Sequence, residues 1–307
     1  MGGIGLAKLC DAPDFRDPEL LGWLREILPE RDPATHVERK VWEFAMLARF
    51  LEKAGALGEH TRALAVGAGD ERIVFWLANR LGSVVATDIY GSGSFSDREA
   101  DAAMLTDPAS RAPFAYRQER LEVRWMDARE LDFPDDSFDV VFSLSSIEHM
   151  GGPAEVARVA SEMGRVVRPG GHVGIVTECL VRHHPRDRAP AEVAMRAASL
   201  GRRRPGATLR RRSVLREAFT PRELRRRIIG PSGLELVEPL NLGLSAESWE
   251  NVARIGPDGS VQPRTGTFYP HLLVEVGRSV FTSVFLPLRA PGGEGQRKSP
   301  TSEISTA

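Results

Sequence analysis

Cysteine is scarce, with only Cys10 and Cys179 in 307 residues. Two thiols cannot build a disulfide framework or a Cys-rich zinc site, so the fold has to be held by an apolar core. Long apolar runs are missing as well. Nothing approaches the roughly 18–20 residues that cross a bilayer, and the opening MGGIGLAKLC lacks the apolar stretch of a secretory signal. Leu6 stands where a myristoylation pattern needs Ser or Thr. Net charge is almost absent, -1 overall, which excludes a dedicated basic nucleic-acid binder. These absences predict a cytoplasmic protein with no membrane or nucleic-acid partner, and they leave the oligomeric state open, a homodimer included.

Strand-like and helix-like runs are plentiful. Asp17-Pro18 reads as a helix cap, and a second helical pattern from Val41 to Leu51 stops at Gly55 and Gly58. Short apolar runs at Ala63–Val66, Val84–Thr87, Leu121–Trp125, Val140–Leu144 and His172–Val176 then alternate with helix-like Ile73–Leu81 and Ala154–Val167. That alternation predicts βαβ units and an α/β, Rossmann-like fold with a mostly parallel sheet. Leu272–Val276 and Val280–Leu288, joined by Gly277-Arg278, read as a closing hairpin. The expected organisation is helical over 1–60, nucleotide-binding over 61–178, acceptor-side insertion and last strands over 179–290, and a disordered tail over 291–307. Between Arg196 and Arg227 stand twelve Arg and two acids, Glu217 and Glu223. Thr220-Pro221 followed by Glu223 reads as a capped helix start.

The chemistry begins at Gly67-Ala68-Gly69, where a strand passes through glycine-rich backbone into a helix. Such a turn lets main chain approach a ligand closely and offers free N–H groups. Asp88 ends the next strand, where a carboxylate can accept from ribose hydroxyls. A dinucleotide fingerprint would need glycine at position 72, and Arg72 stands there, so a nicotinamide oxidoreductase is disfavoured.

Further along come Met126-Asp127-Ala128 after a strand, Phe138-Asp139-Val140-Val141-Phe142, Ser143-Leu144-Ser145-Ser146-Ile147-Glu148-His149, and Arg168-Pro169-Gly170-Gly171 before another strand. In this order the motifs resemble the class I S-adenosylmethionine-dependent methyltransferases over roughly residues 60–178. The resemblance implies a seven-stranded sheet with an antiparallel C-terminal hairpin and S-adenosylmethionine as cofactor. Gly67, Ala68 and Gly69 would line its methionine and ribose portions, Asp88 would hold the ribose diol, and Ile89 would lie against the adenine. Asp127 would accept from the adenine amine beside Met126 and Ala128, and Ser143 and Ser145 would face the sulfonium. Glu71 replaces a glycine common in the family, with a side chain expected to point away from the ligand. Helices bearing Trp42 and Glu43 would close over the site as a lid.

His149, just past the fourth strand, is the expected base, and Glu148 is expected to orient it or contact substrate. A Mg²⁺ near Asp127, Glu148 and His149 stays open without an assignable ligand set. His271 could face the acceptor as readily as serve structure. No Asn/Asp-Pro-Pro-Tyr motif follows the fourth strand, and the local texture looks somewhat like sugar O-methyltransferases. The expected reaction is O-methylation of a small molecule or saccharide. The alternatives are N- or C-methylation of a natural product, or a non-catalytic scaffold.

Overall fold

The computed structural model describes residues 4–32, 38–93, 95, 99–184, 187, 214–255, 261–263 and 272–292. Residues 188–213, His271 and the tail from 293 on fall outside them, and so do the expectations for those segments.

Four parallel pairings form the centre of the sheet. They involve β2 (Arg62–Val66), β3 (Ser83–Asp88), β4 (Leu121–Trp125), β5 (Phe138–Leu144) and β6 (Val167–Arg182), in the spatial order β4-β3-β2-β5-β6. The order reverses between β2 and β5, so a crevice opens beyond the carboxyl ends of those two strands. There Val66 runs into Gly67 and Leu144 runs into Ser145.

The strands are apolar on both faces because each face is covered. Ala63, Ala65, Ala86, Phe142 and Leu144 face a core shared with α1 (Pro18–Ile27), α2 (Arg39–Lys53) and α3 (Arg72–Ala78). Leu64, Val66, Val85 and Val141 face the opposite core, built with Val156, Val159 and Met163 of the helix Pro153–Val166. Small alanines on the first face leave room for Trp42, Phe50 and Trp76.

The long β11 (Ser279–Arg289) runs antiparallel to β6, and three short strands share its other edge. These are β10 (Leu273–Val276), β1 (Lys8–Leu9) and β7 (Glu235–Leu236). With β8 (Val252–Ile255) and β9 (Val261–Pro263), the sheet counts eleven strands among the described residues, where seven were expected. The expected hairpin is present as β10 and β11. Pro169-Gly170-Gly171 lies within β6 as a bulge, with Gly170 at φ +74° and a register shift against β5. No helix among the described residues is long and apolar enough to cross a membrane.

The lid expectation is corrected too. Trp42 is fully buried and donates from Nε1 to Asp14 at 2.8 Å, and Asp14 is in turn paired with Lys8. The helix α2 is apolar almost all round from Val41 to Leu51, which makes it a core helix rather than a movable cover. Only its first turn reaches the crevice.

Candidate active site

A cavity of about 790 Å³ fills the crevice at the strand-order reversal. Its floor is the glycine turn. Gly67 and Gly69 have φ of +65° and +50°, a region costly for residues with a Cβ. A Cβ on Gly67 would lie 2.5 Å from Met150 Cε and 2.7 Å from Ser146 Cβ, and one on Gly69 would lie 2.8 Å from the Glu99 carbonyl oxygen. Both positions therefore require glycine for space as well as conformation.

Asp88 closes this wall. Its Oδ2 accepts from the Gly69 N–H at 3.0 Å and its Oδ1 from the Ile89 N–H at 2.7 Å. Burial pushes its carboxyl above the ordinary range against the pull of these two donors. Tyr90 donates to the Gly69 carbonyl at 2.9 Å and fixes the turn from below. Ile89, Met126 and Ala128 continue the lining as an apolar stretch.

Asp127 also lines the cavity, and Arg129 reaches back to it with Nε 2.9 Å from Oδ1. Hydrogen bonds from Arg129 hold the Asp127 carboxyl below its usual value. The expected adenine acceptor is thus already clamped by a guanidinium.

Across the glycine turn, Lys40 of α2 donates to the Leu144 carbonyl at 3.1 Å and pairs with Glu43 at 3.3 Å and with Glu71. Glu71, expected to point away, instead lines the cavity. Burial pushes its carboxyl up to about 7 even though Lys40 lies against it. Glu43 is buried and accepts from both Ser145 and Ser283 at 2.8 Å. Ser145 holds φ +52°, an uncommon conformation for a side-chain-bearing residue, at the point where β5 enters the site.

His149 sits on the far rim. Its Nδ1 is 3.4 Å from Glu217 Oε2, and its ring lies 5.0 Å from that of Phe95, centroid to centroid. Burial pulls the imidazolium down, but Glu217, Glu148 and Glu178 outweigh it and leave the pKa raised. Glu148 is not the orienting group. It is buried and accepts from Thr177 Oγ1 at 2.9 Å, and burial pushes its carboxyl up to about 7.

Of the residues singled out from sequence, Gly67, Gly69, Asp88, Ile89, Met126, Asp127, Ala128, Ser145 and His149 line this one cavity. Ala68, Ser143 and Glu148 stand outside its lining, all three buried. Lys40, Phe95, Arg129 and Glu217 line it without having been foreseen. Among the described residues no three of His, Cys, Asp and Glu converge as metal ligands, so the Mg²⁺ alternative has no site there.

Residues 64–175 match the family model of a methyltransferase domain. The chain is 45% identical over 76 residues to a phosphatidylethanolamine N-methyltransferase of Cereibacter sphaeroides, covering 25% of this chain and 34% of that protein. It is 35% identical over 118 residues to a 27-O-demethylrifamycin SV methyltransferase of Amycolatopsis mediterranei, 38% of each. The matches thus span little more than a third of these relatives' length. Among solved structures, YcgJ of Bacillus subtilis overlays with a TM-score of 0.47 at 14% identity, covering 80% of this chain and 98% of that one.

Proposed function

We propose that this chain, whose residues 64–175 match the family model of a methyltransferase domain, is a class I S-adenosylmethionine-dependent methyltransferase that methylates a hydroxyl of a small molecule, with saccharides the first acceptor class to test. The observation that carries this reading is His149 on the same cavity as Gly67, Gly69 and Asp88. When bound, S-adenosylmethionine supplies a methyl carbon made electrophilic by its sulfonium.

The cavity suits that cofactor in size, since sites for molecules of this class run to about 300–1,000 Å³. Gly67 and Gly69 bring bare backbone to its amino-acid end, with Ala68 between them. Asp88, aimed by two backbone N–H groups, would accept from the ribose hydroxyls. Ile89, Met126 and Ala128 would flank the adenine, and the remaining lone pairs of Asp127 would be left for its amine. Ser143 and Ser145 mark the end of β5 toward the reacting centre. His149 would take the acceptor's hydroxyl proton as that oxygen is methylated, while the sulfonium's electron pair would leave with its sulfur. An alcohol needs that base, because its proton must leave as the bond forms. Phe95 and the carboxylates on the rim support a polyhydroxylated ring, which stacks on one and hydrogen-bonds the other.

An amine acceptor is the second reading. Glu99 and Glu217 on the rim would attract an ammonium group, and one relative is named for N-methylation of phosphatidylethanolamine. Calorimetric titration with S-adenosylhomocysteine, with NADH as control, tests the cofactor. Binding of neither ligand would move a non-catalytic scaffold to the front. NMR of product made with a ¹³C-methyl donor then separates oxygen from nitrogen acceptors. His149→Gln should lower kcat by about 10²–10⁴-fold with S-adenosylhomocysteine affinity unchanged. Normal turnover in that variant would remove His149 as base.

A further inference from the structure

The carboxylate that meets His149 comes from the far side of the insertion. Glu217 ends the helical turn Val214–Glu217, and its Oε2 lies 3.4 Å from His149 Nδ1. We propose that Glu217 is the positioning residue of His149, holding Nδ1 toward its carboxylate so that Nε2 is left to receive the acceptor's proton. This rests on His149 being the base.

The pairing follows from how the segment is anchored. β6 outruns β5, whose last ladder pair joins Leu144 to Val176. Phe219 fills the edge left open beyond it. Its N–H donates to the Glu178 carbonyl, and its carbonyl accepts from the Leu180 N–H, each at 2.8 Å. Leu215, Ala218 and Phe219 are buried, so the turn is pinned on both sides of Glu217. Two residues before a two-bond bridge, the Glu217 side chain has little choice but the rim of the cavity, which it lines.

The alternatives for both partners are taken. Glu148, next to His149 in sequence, accepts from Thr177, and Glu178 pairs with Arg39 at 3.3 Å. Glu223, the other acid of the Arg-rich run, closes a capping box with Thr220. The Phe95 ring lies 5.0 Å from the imidazole, centroid to centroid. The groups acting on the imidazole are therefore Glu217 from the insertion, Glu148 beside it and Glu178 from β6. An imidazole with one nitrogen held by a carboxylate has a set tautomer and a partner for the positive charge it gains.

The test uses the full chain with Glu217→Gln and Glu217→Asp. Glu217 is partly exposed and caps nothing, so both variants should fold, and unchanged affinity for S-adenosylhomocysteine checks this. Histidine ¹⁵N NMR follows the His149 ring without any acceptor. In Glu217→Gln its pKa should fall and its tautomer balance should shift toward a mixture. With acceptor, kcat should drop about 10–100-fold at near-constant KM. The acidic limb of the rate profile should move to lower pH, and Glu217→Asp should recover part of each change. An unaltered His149 titration overturns the proposal, and so does a change confined to KM, which would make Glu217 an acceptor contact. If the titration shifts but His149→Gln still turns over normally, the base reading has failed and the positioning role falls with it.

Discussion

The backbone N–H of Gly69 donates to Asp88 Oδ2 at 3.0 Å, tying the glycine turn after β2 to the end of β3. One bond thus joins the bare-backbone part of the cradle to the carboxylate assigned to the ribose. Disturbing either group should be felt through the other.

Gly69→Ala is the first consequence. At φ +50° a Cβ costs about 1–2 kcal/mol, and here it would also sit 2.8 Å from a backbone oxygen of Glu99. The turn has to shift, and the amide that aims Asp88 shifts with it. Affinity for S-adenosylhomocysteine should fall about tenfold, as read by calorimetry. Wild-type affinity would mean that the glycine turn is not part of the cradle.

Asp88→Asn probes the other end. The carboxylate accepts from two N–H groups, and an amide can supply only one oxygen while turning an NH₂ toward the second donor. The loss of one charged acceptor and the facing of two donors should weaken S-adenosylhomocysteine binding by about 10–100-fold. The same titration checks it, and equal binding would detach Asp88 from the ribose.

Much of this wall was legible in the sequence because it is local. Buried parallel strands are short apolar runs, and the Gly67–Asp88 interval spans one strand–helix–strand unit. Lys40 and Glu217 were not, because their contacts depend on crossovers. Lys40 meets Glu71 and Leu144, and Glu217 meets His149 from the far side of the insertion. Some signal existed even so. Nearly continuous apolar residues from Val41 to Leu51 mark a buried helix, which argues against a lid, and Glu217 is one of two acids in an Arg-rich run. The strands β7, β8 and β9, two to four residues each, are too short for an alternation to show.

Glu148 gives a pH-dependent prediction. Burial pushes its carboxyl from 4.5 to about 7 in the folded chain. Between those values the folded protein holds a proton that the unfolded chain has released. The stabilisation is present below pH 4.5 and is lost as pH rises through 7. Glu148→Gln keeps an acceptor for Thr177 without the buried charge. Its Tm should match wild type near pH 4.5 and exceed it by a few degrees above pH 7, since each pKa unit is worth about 1.4 kcal/mol. A Tm difference that does not change with pH would show that the carboxyl is not displaced.

Gly164 tests the packing behind the site. It lies inside the helix Pro153–Val166, where replacing glycine with alanine ordinarily stabilises by about 0.5–1 kcal/mol. Here a Cβ would run into the carbonyl oxygen of Ser232 and would lie 2.9 Å from its carbon, backbone atoms with no rotamer to yield. Ser232 precedes the left-handed Gly233 and the buried Leu234, so the segment cannot swing away without exposing that leucine. Overpacking of this kind costs about 1–3 kcal/mol, more than the propensity gain. Gly164→Ala should therefore lower the urea midpoint with an unchanged slope. A rise in the midpoint would mean that the 230–234 segment does not press on this helix.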